Sequence, residues 1–156
     1  MKKTYRTIGE RYIIKLIKEC KKEFFAHYDL PNIKTYYSHE NNCRVNVRYN
    51  SKGVVLARLY FDLTYLIIKS KNNKSVQFEM YPQKSIRNRL KFIIYHELSH
   101  YLQAQKYFKS YMINSSSQKK KIKNWSLNDY NYRKLPKELK ADKMSNGFIN
   151  RKDKKK

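Results

Sequence analysis

The residues from Ile86 to about Phe108 read as one amphipathic helix, with Ile86, Leu90, Ile94, Leu98, Tyr101 and Leu102 on a stripe that faces a core. Ser85 is suited to cap it. Inside it lies His96-Glu97-Leu98-Ser99-His100. Residues four apart on a helix point the same way, so His96 and His100 present two imidazoles to one point in space. Their face is partly offset from the apolar stripe, which predicts an exposed site. Two neutral imidazoles at this spacing fit two corners of the tetrahedral shell of Zn²⁺. Glu97 lies one step round the helix, within reach of a metal-bound water without ligating the ion. That disposition suits metal-assisted hydrolysis, in which the ion lowers the pKa of the water and the carboxylate takes its proton.

A third ligand is expected in Leu135-Pro136-Lys137-Glu138-Leu139-Lys140-Ala141-Asp142. Pro136 suits the first position of a helix, where its missing N–H costs nothing. Glu138 and Asp142 then share a face. Glu138 can complete the protein ligands and leave the fourth position to water or substrate, giving one Zn²⁺ per chain. Asp142 can accept the second N–H of a ligating histidine and fix its tautomer. Taken alone, this segment reads as a surface helix whose carboxylates are offset by Lys137, Lys140 and Lys143. Paired with the upstream motif, it must cross the His96–His100 face with Glu138 pointing inward. Gly147 is expected to end it in left-handed geometry.

His96-Glu97-Leu98-Ser99-His100-Tyr101-Leu102 followed by Glu138-Leu139-Lys140-Ala141-Asp142 resembles a glutamate-zincin metallopeptidase, and within that class the small ImmA/IrrE-like group. The resemblance covers about the last third of the chain. It implies His96, His100 and Glu138 as zinc ligands and Glu97 as general base. Ser99 stands where that group usually has Gly, and Lys140 where a second acidic residue is common. No DNA-binding helix-turn-helix is evident. A SprT-like protease would need a third histidine after the motif, whereas His27 and His39 both lie upstream and read as surface residues.

The rest of the chain reads as an α+β framework around this pair of helices. Apolar spacing from Ile8 to Phe25 predicts a first helix, broken at Asp29-Leu30-Pro31-Asn32. Arg44–Tyr49 and Val54–Phe61 read as strands joined by a turn at Asn50-Ser51-Lys52-Gly53. Tyr65–Ile68 and Val76–Tyr81 read as two more, so the expected sheet is three- to four-stranded and mainly antiparallel. The stretch from residue 109 to 134, rich in Ser and Lys, reads as a long loop of the kind that forms functional lids, with Trp125, Tyr130 and Tyr132 able to dock it. Residues 1–150 form one expected zincin-like domain and 151–156 a disordered basic tail.

Charge separates the function classes. The 156 residues carry 36 Lys and Arg against 12 Asp and Glu, a formal +24, so polyanions are natural partners. Lys far outnumbers Arg, and abundant Lys, Asn, Ile and Tyr also fit compositional drift. Cys20 and Cys43 show neither metal spacing nor disulfide density, and no signal peptide or membrane-length apolar run is present, so the expected setting is cytoplasmic. The leading expectation is a zinc peptidase acting on a protein or peptide substrate. The runner-up is a basic nucleic-acid- or protein-binding regulatory protein, of phage or mobile-element origin, on the same scaffold without turnover.

Overall fold

Apolar residues at helical spacing make α1 (Ile8–Tyr28), which turns Leu16, Ile17, Cys20 and Phe24 into the core. Asp29 ends it at φ 51°, and the Leu30 amide reaches back to the Phe25 carbonyl at 3.0 Å. The structure, a computed structural model, describes residues 8–39, 43–106 and 135–154. The expected loop from 109 to 134, with Trp125, Tyr130 and Tyr132, lies outside the described residues, as do Tyr107 and Phe108.

Three strands follow: β1 (Lys34–Ser38), β2 (Arg44–Asn50) and β3 (Gly53–Asp62), in the order β1-β3-β2. β2 and β3 form the expected hairpin. Its turn is held by the Asn50 side chain, which accepts from the Lys52 amide at 2.8 Å. Gly53 sits at φ 129°, a value that side-chain-bearing residues rarely adopt. The sheet is mixed rather than mainly antiparallel, because β1 pairs with β3 in parallel, Lys34 opposite Arg58 and Ser38 opposite Asp62. β1 arrives from α1 and not through a hairpin, so no tight turn reverses it. Along β3 the residues Ala57, Leu59 and Phe61 face the core, while Leu56 and Arg58 face outward.

The two further strands are helices. Tyr65–Ile68 lies within α2 (Leu63–Lys71), and Val76–Tyr81 is largely α3 (Val76–Met80). Aromatic and β-branched side chains gave both a strand-like composition, but the backbone turns helical after an extended residue at each start. Asp62 has extended backbone at the end of β3, and its Oδ1 accepts from the Tyr65 amide at 2.8 Å. Ser75 is extended in the same way, and its carbonyl accepts from the amides of Phe78 and Glu79 at 3.1 and 2.9 Å. The helical turn then brings Leu63 and Leu66, and Gln77 and Phe78, inward.

α4 (Ile86–Lys106) is the hub, packed against α1, α2, the sheet and the last helix. Ser85 caps it, its Oγ accepting from the Asn88 amide at 3.1 Å. Phe92, Ile94, Tyr95, Leu98 and Tyr101 are fully buried. Ile86, expected in the stripe, is 48% exposed because the first turn projects past the core. No described helix is long and apolar enough to cross a membrane.

α5 (Pro136–Lys154) lies across α4 on small residues: Ala141 is buried, and the Ser145 hydroxyl donates to the Phe92 carbonyl at 2.6 Å. It runs through Gly147 to Lys154, so the expected stop at Gly147 does not hold; residues 155 and 156 of the expected tail lie outside the described residues. Phe148 explains the extension: its ring packs 4.6 Å from Tyr95 and 5.3 Å from Phe24. Burying it and Ile149 outweighs the roughly 1 kcal/mol that glycine costs inside a helix. Gly147 is exposed, with nothing within 4 Å of an added Cβ. Gly147→Ala should therefore stabilise the fold by about 0.5–1 kcal/mol in urea melts. A destabilised variant would put residue 147 in a left-handed cap after all.

Candidate metal centre

The i, i+4 spacing of α4 and the matching spacing of α5 face each other. His96 Nε2 stands 2.8 Å from Glu138 Oε2 and 3.1 Å from His100 Nε2, and His100 Nε2 stands 3.2 Å from the same Glu138 oxygen. The rings are nearly perpendicular, at 88° with centroids 4.7 Å apart. Donors held about 2.0–2.2 Å from a tetrahedral ion are roughly 3.3–3.6 Å apart, so this triangle needs to open by only about half an ångström. His96, His100 and Glu138 are 3%, 6% and 2% exposed. The expected exposed site is instead buried, because α5 lies over the face that the apolar stripe leaves uncovered.

Behind His96 is the expected carboxylate. Its Nδ1 lies 2.7 Å from Asp142 Oδ1, and Asp142 is wholly buried. An N–H donated there turns the Nε2 lone pair toward Glu138 and His100. Gln77, on α3, completes this layer: its Nε2 donates to the same Asp142 oxygen at 2.7 Å. No motif marks Gln77; it is a neutral amide in a segment that reads as a strand. Ser99 is buried too, with its hydroxyl donating to the Tyr95 carbonyl of its own helix at 2.7 Å.

The electrostatics follow from this closeness. Burial alone would push the His96 pKa down, but the bonds to Asp142 and Glu138, with the charges of Glu138 and Glu97, lift it to about 9. Burial would raise Glu138; its charge interactions and hydrogen bonds with His100 and His96 hold it well below the usual carboxylate range. Nitrogen and carboxylate lone pairs facing one another in a dry pocket repel unless a cation lies between them. A proton on His96 meets that need, and so does a divalent ion. The donor set of two imidazoles and one carboxylate fits zinc.

Glu97 is largely buried and faces a second neighbour as well. Its charge adds to burial in raising the Cys43 thiol, whose Sγ lies 3.4 Å from the Asp62 amide where β3 meets α2. The carboxylate therefore acts on both His96 and the Cys43 end of β2. All five residues singled out from sequence, His96, Glu97, His100, Glu138 and Asp142, thus belong to one neighbourhood. Comparison with protein families, curated proteins and solved structures finds no match to this chain.

Proposed function

We propose that the protein is a zincin-like, zinc-dependent peptidase that hydrolyses peptide bonds of a protein substrate. The observation that carries the reading is the buried His96–His100–Glu138 triangle, with Asp142 backing His96. His96, His100 and Glu138 would hold the ion, and Asp142 and Gln77 would keep His96 in its binding tautomer. Zinc in such a set supplies Lewis acidity, lowering the pKa of a bound water to about 7 and polarising the substrate carbonyl. Glu97 would take the proton from the attacking water and return it to the leaving amine. Cys20 and Cys43 are thiols and not a disulfide, which supports a reducing, cytoplasmic setting.

A second reading rests on the same distances. A protonated His96 held between Glu138 and Asp142 closes the cluster with no ion, making it a structural ion pair. Metal analysis of the purified chain separates the two. The peptidase reading expects about one zinc per chain, and peptide hydrolysis that stops when zinc is chelated and resumes when it is restored. A chain that takes up no zinc at neutral pH sinks that reading and leaves the ion pair.

A further inference from the structure

Away from the metal centre, three hollows that share lining residues follow one another from α1 along β3 to β2. The first, about 480 Å³, lies against α1 and is lined by Lys18, Lys21, Lys22, Phe25 and Asn32 among others. Asn32 also borders the second, about 510 Å³, where Lys34, Tyr36 and Arg58 lie beside the half of β3 that extends beyond β1. Leu56 and Arg58 then pass into the third, about 230 Å³, with Asn46 and Arg48. Among the described lining residues of all three, Asp29 is the one carboxylate. Lys21 ties the first junction together, donating to Thr35 Oγ1 at 2.9 Å. Lys18, Lys22, Lys34, Arg48 and Arg58 are exposed along the way.

Aromatic surface is interleaved with this charge. Across the outer face of the sheet the Arg44 guanidinium carbon sits 4.3 Å from the Tyr60 ring centroid. Tyr60 stacks on Tyr36 at 5.1 Å and 16°, and Lys34 lies over Tyr36. The row of flat groups thus ends at the second hollow, where Tyr36 is part of the wall. Phe25 lines the first.

We infer that this track binds a single-stranded nucleic acid, with phosphates on the Lys and Arg heads and a base taking the face of Tyr36 that Lys34 covers, as Lys34 turns to a phosphate. The charge suits a polyanion, and the chain as a whole carries +24. The aromatic lining selects a single strand: Tyr36 and Phe25 offer flat surface to base faces that a single strand exposes and a duplex keeps stacked inside. Stacking and phosphate pairing do not read the sugar, so RNA and DNA strands bind alike. This inference is independent of the peptidase proposal, since none of the track's residues belongs to the metal centre.

Fluorescence anisotropy of the full chain with labelled dT and U 12-mers tests it, with a 12-bp duplex as comparison. Single strands should bind at least tenfold tighter than the duplex, with affinity falling as salt rises. Each phosphate neutralised on a single strand contributes about 0.7 to the log–log salt slope. The double variant Lys34→Gln/Arg58→Gln should therefore lower the slope by about 1.4, with at least a tenfold weaker Kd and an unchanged circular dichroism spectrum. Tyr36→Leu keeps apolar bulk and should weaken binding about five- to 150-fold through lost stacking. Lys74→Gln/Lys143→Gln removes the same charge from exposed positions that line none of the hollows, and should change Kd by less than about twofold. Equal losses in the two double variants, or a duplex bound as tightly as a single strand, would overturn the track.

Discussion

Removing either imidazole of the triangle should all but abolish zinc binding. A site of this type is worth about 10 kcal/mol or more, so losing one of three protein ligands removes roughly 3 kcal/mol, a weakening of about 150-fold. His96→Ala also takes one partner each from the buried Glu138 and Asp142, so His100→Gln, which keeps a polar side chain, is the cleaner variant. Glu97→Gln should behave in the opposite way. It should hold zinc as the parent does, because Glu97 is no ligand, while peptide hydrolysis falls by about 10²–10⁴-fold with the loss of a general base. Competition with a chromophoric chelator measures the first effect and a fluorogenic peptide library the second. Should His100→Gln retain parental zinc affinity in a folded chain, the triangle is not a metal site.

The second large effect is on pH. His96 has its pKa lifted from 6.5 to about 9 in the metal-free protein, so the proton is held more tightly folded than unfolded. Its stabilising contribution is fully present below pH 6.5 and disappears as pH rises through about 9. Glu138, shifted down, contributes above its ordinary 4.5 and loses that contribution as pH falls through its lower folded value. The metal-free fold is thus best supported by this cluster between the two ordinary values. Zinc must displace the His96 proton, so its affinity should climb about tenfold per pH unit through the neutral range and level off near 9. An affinity that levels off near 6.5, the ordinary histidine value, would show that Asp142 and Glu138 exert no such hold. Asp142→Asn should move the plateau to lower pH and weaken zinc about 10–100-fold, since an outer partner of the ligand is lost.

What could be read from sequence follows a physical division. The pair of four-residue spacings in α4 and α5 was legible because helix geometry turns spacing into direction, and Glu138 and Asp142 point at His100 and His96 as that geometry requires. The β2–β3 hairpin was legible because Asn50 and Gly53 carry the turn locally. The parallel place of β1 was not, since it is set by contacts far along the chain. At Tyr65 and Val76, side-chain composition suggested strands. At Tyr65 the capping carboxylate of Asp62 outweighed it and was the available signal, whereas Ser75 makes no side-chain cap and α3 is held by the burial of Gln77 and Phe78. Gln77 had none, because its partner Asp142 is 65 residues away and an isolated amide has no spacing.

One oxygen of Asp142 accepts from both Gln77 and His96, which makes it the joint of three helices. α3 has only 5 residues, too few to be stable by itself. Its anchorage rests on the burial of Phe78 and on a carboxylate whose other contact is His96. On the peptidase reading, loading of the pocket should therefore be felt by α3, which supplies no ligand. Amide exchange at Phe78 and Glu79 should then gauge occupancy, slowing when zinc is added and quickening when it is chelated, in the Glu97→Gln chain as well.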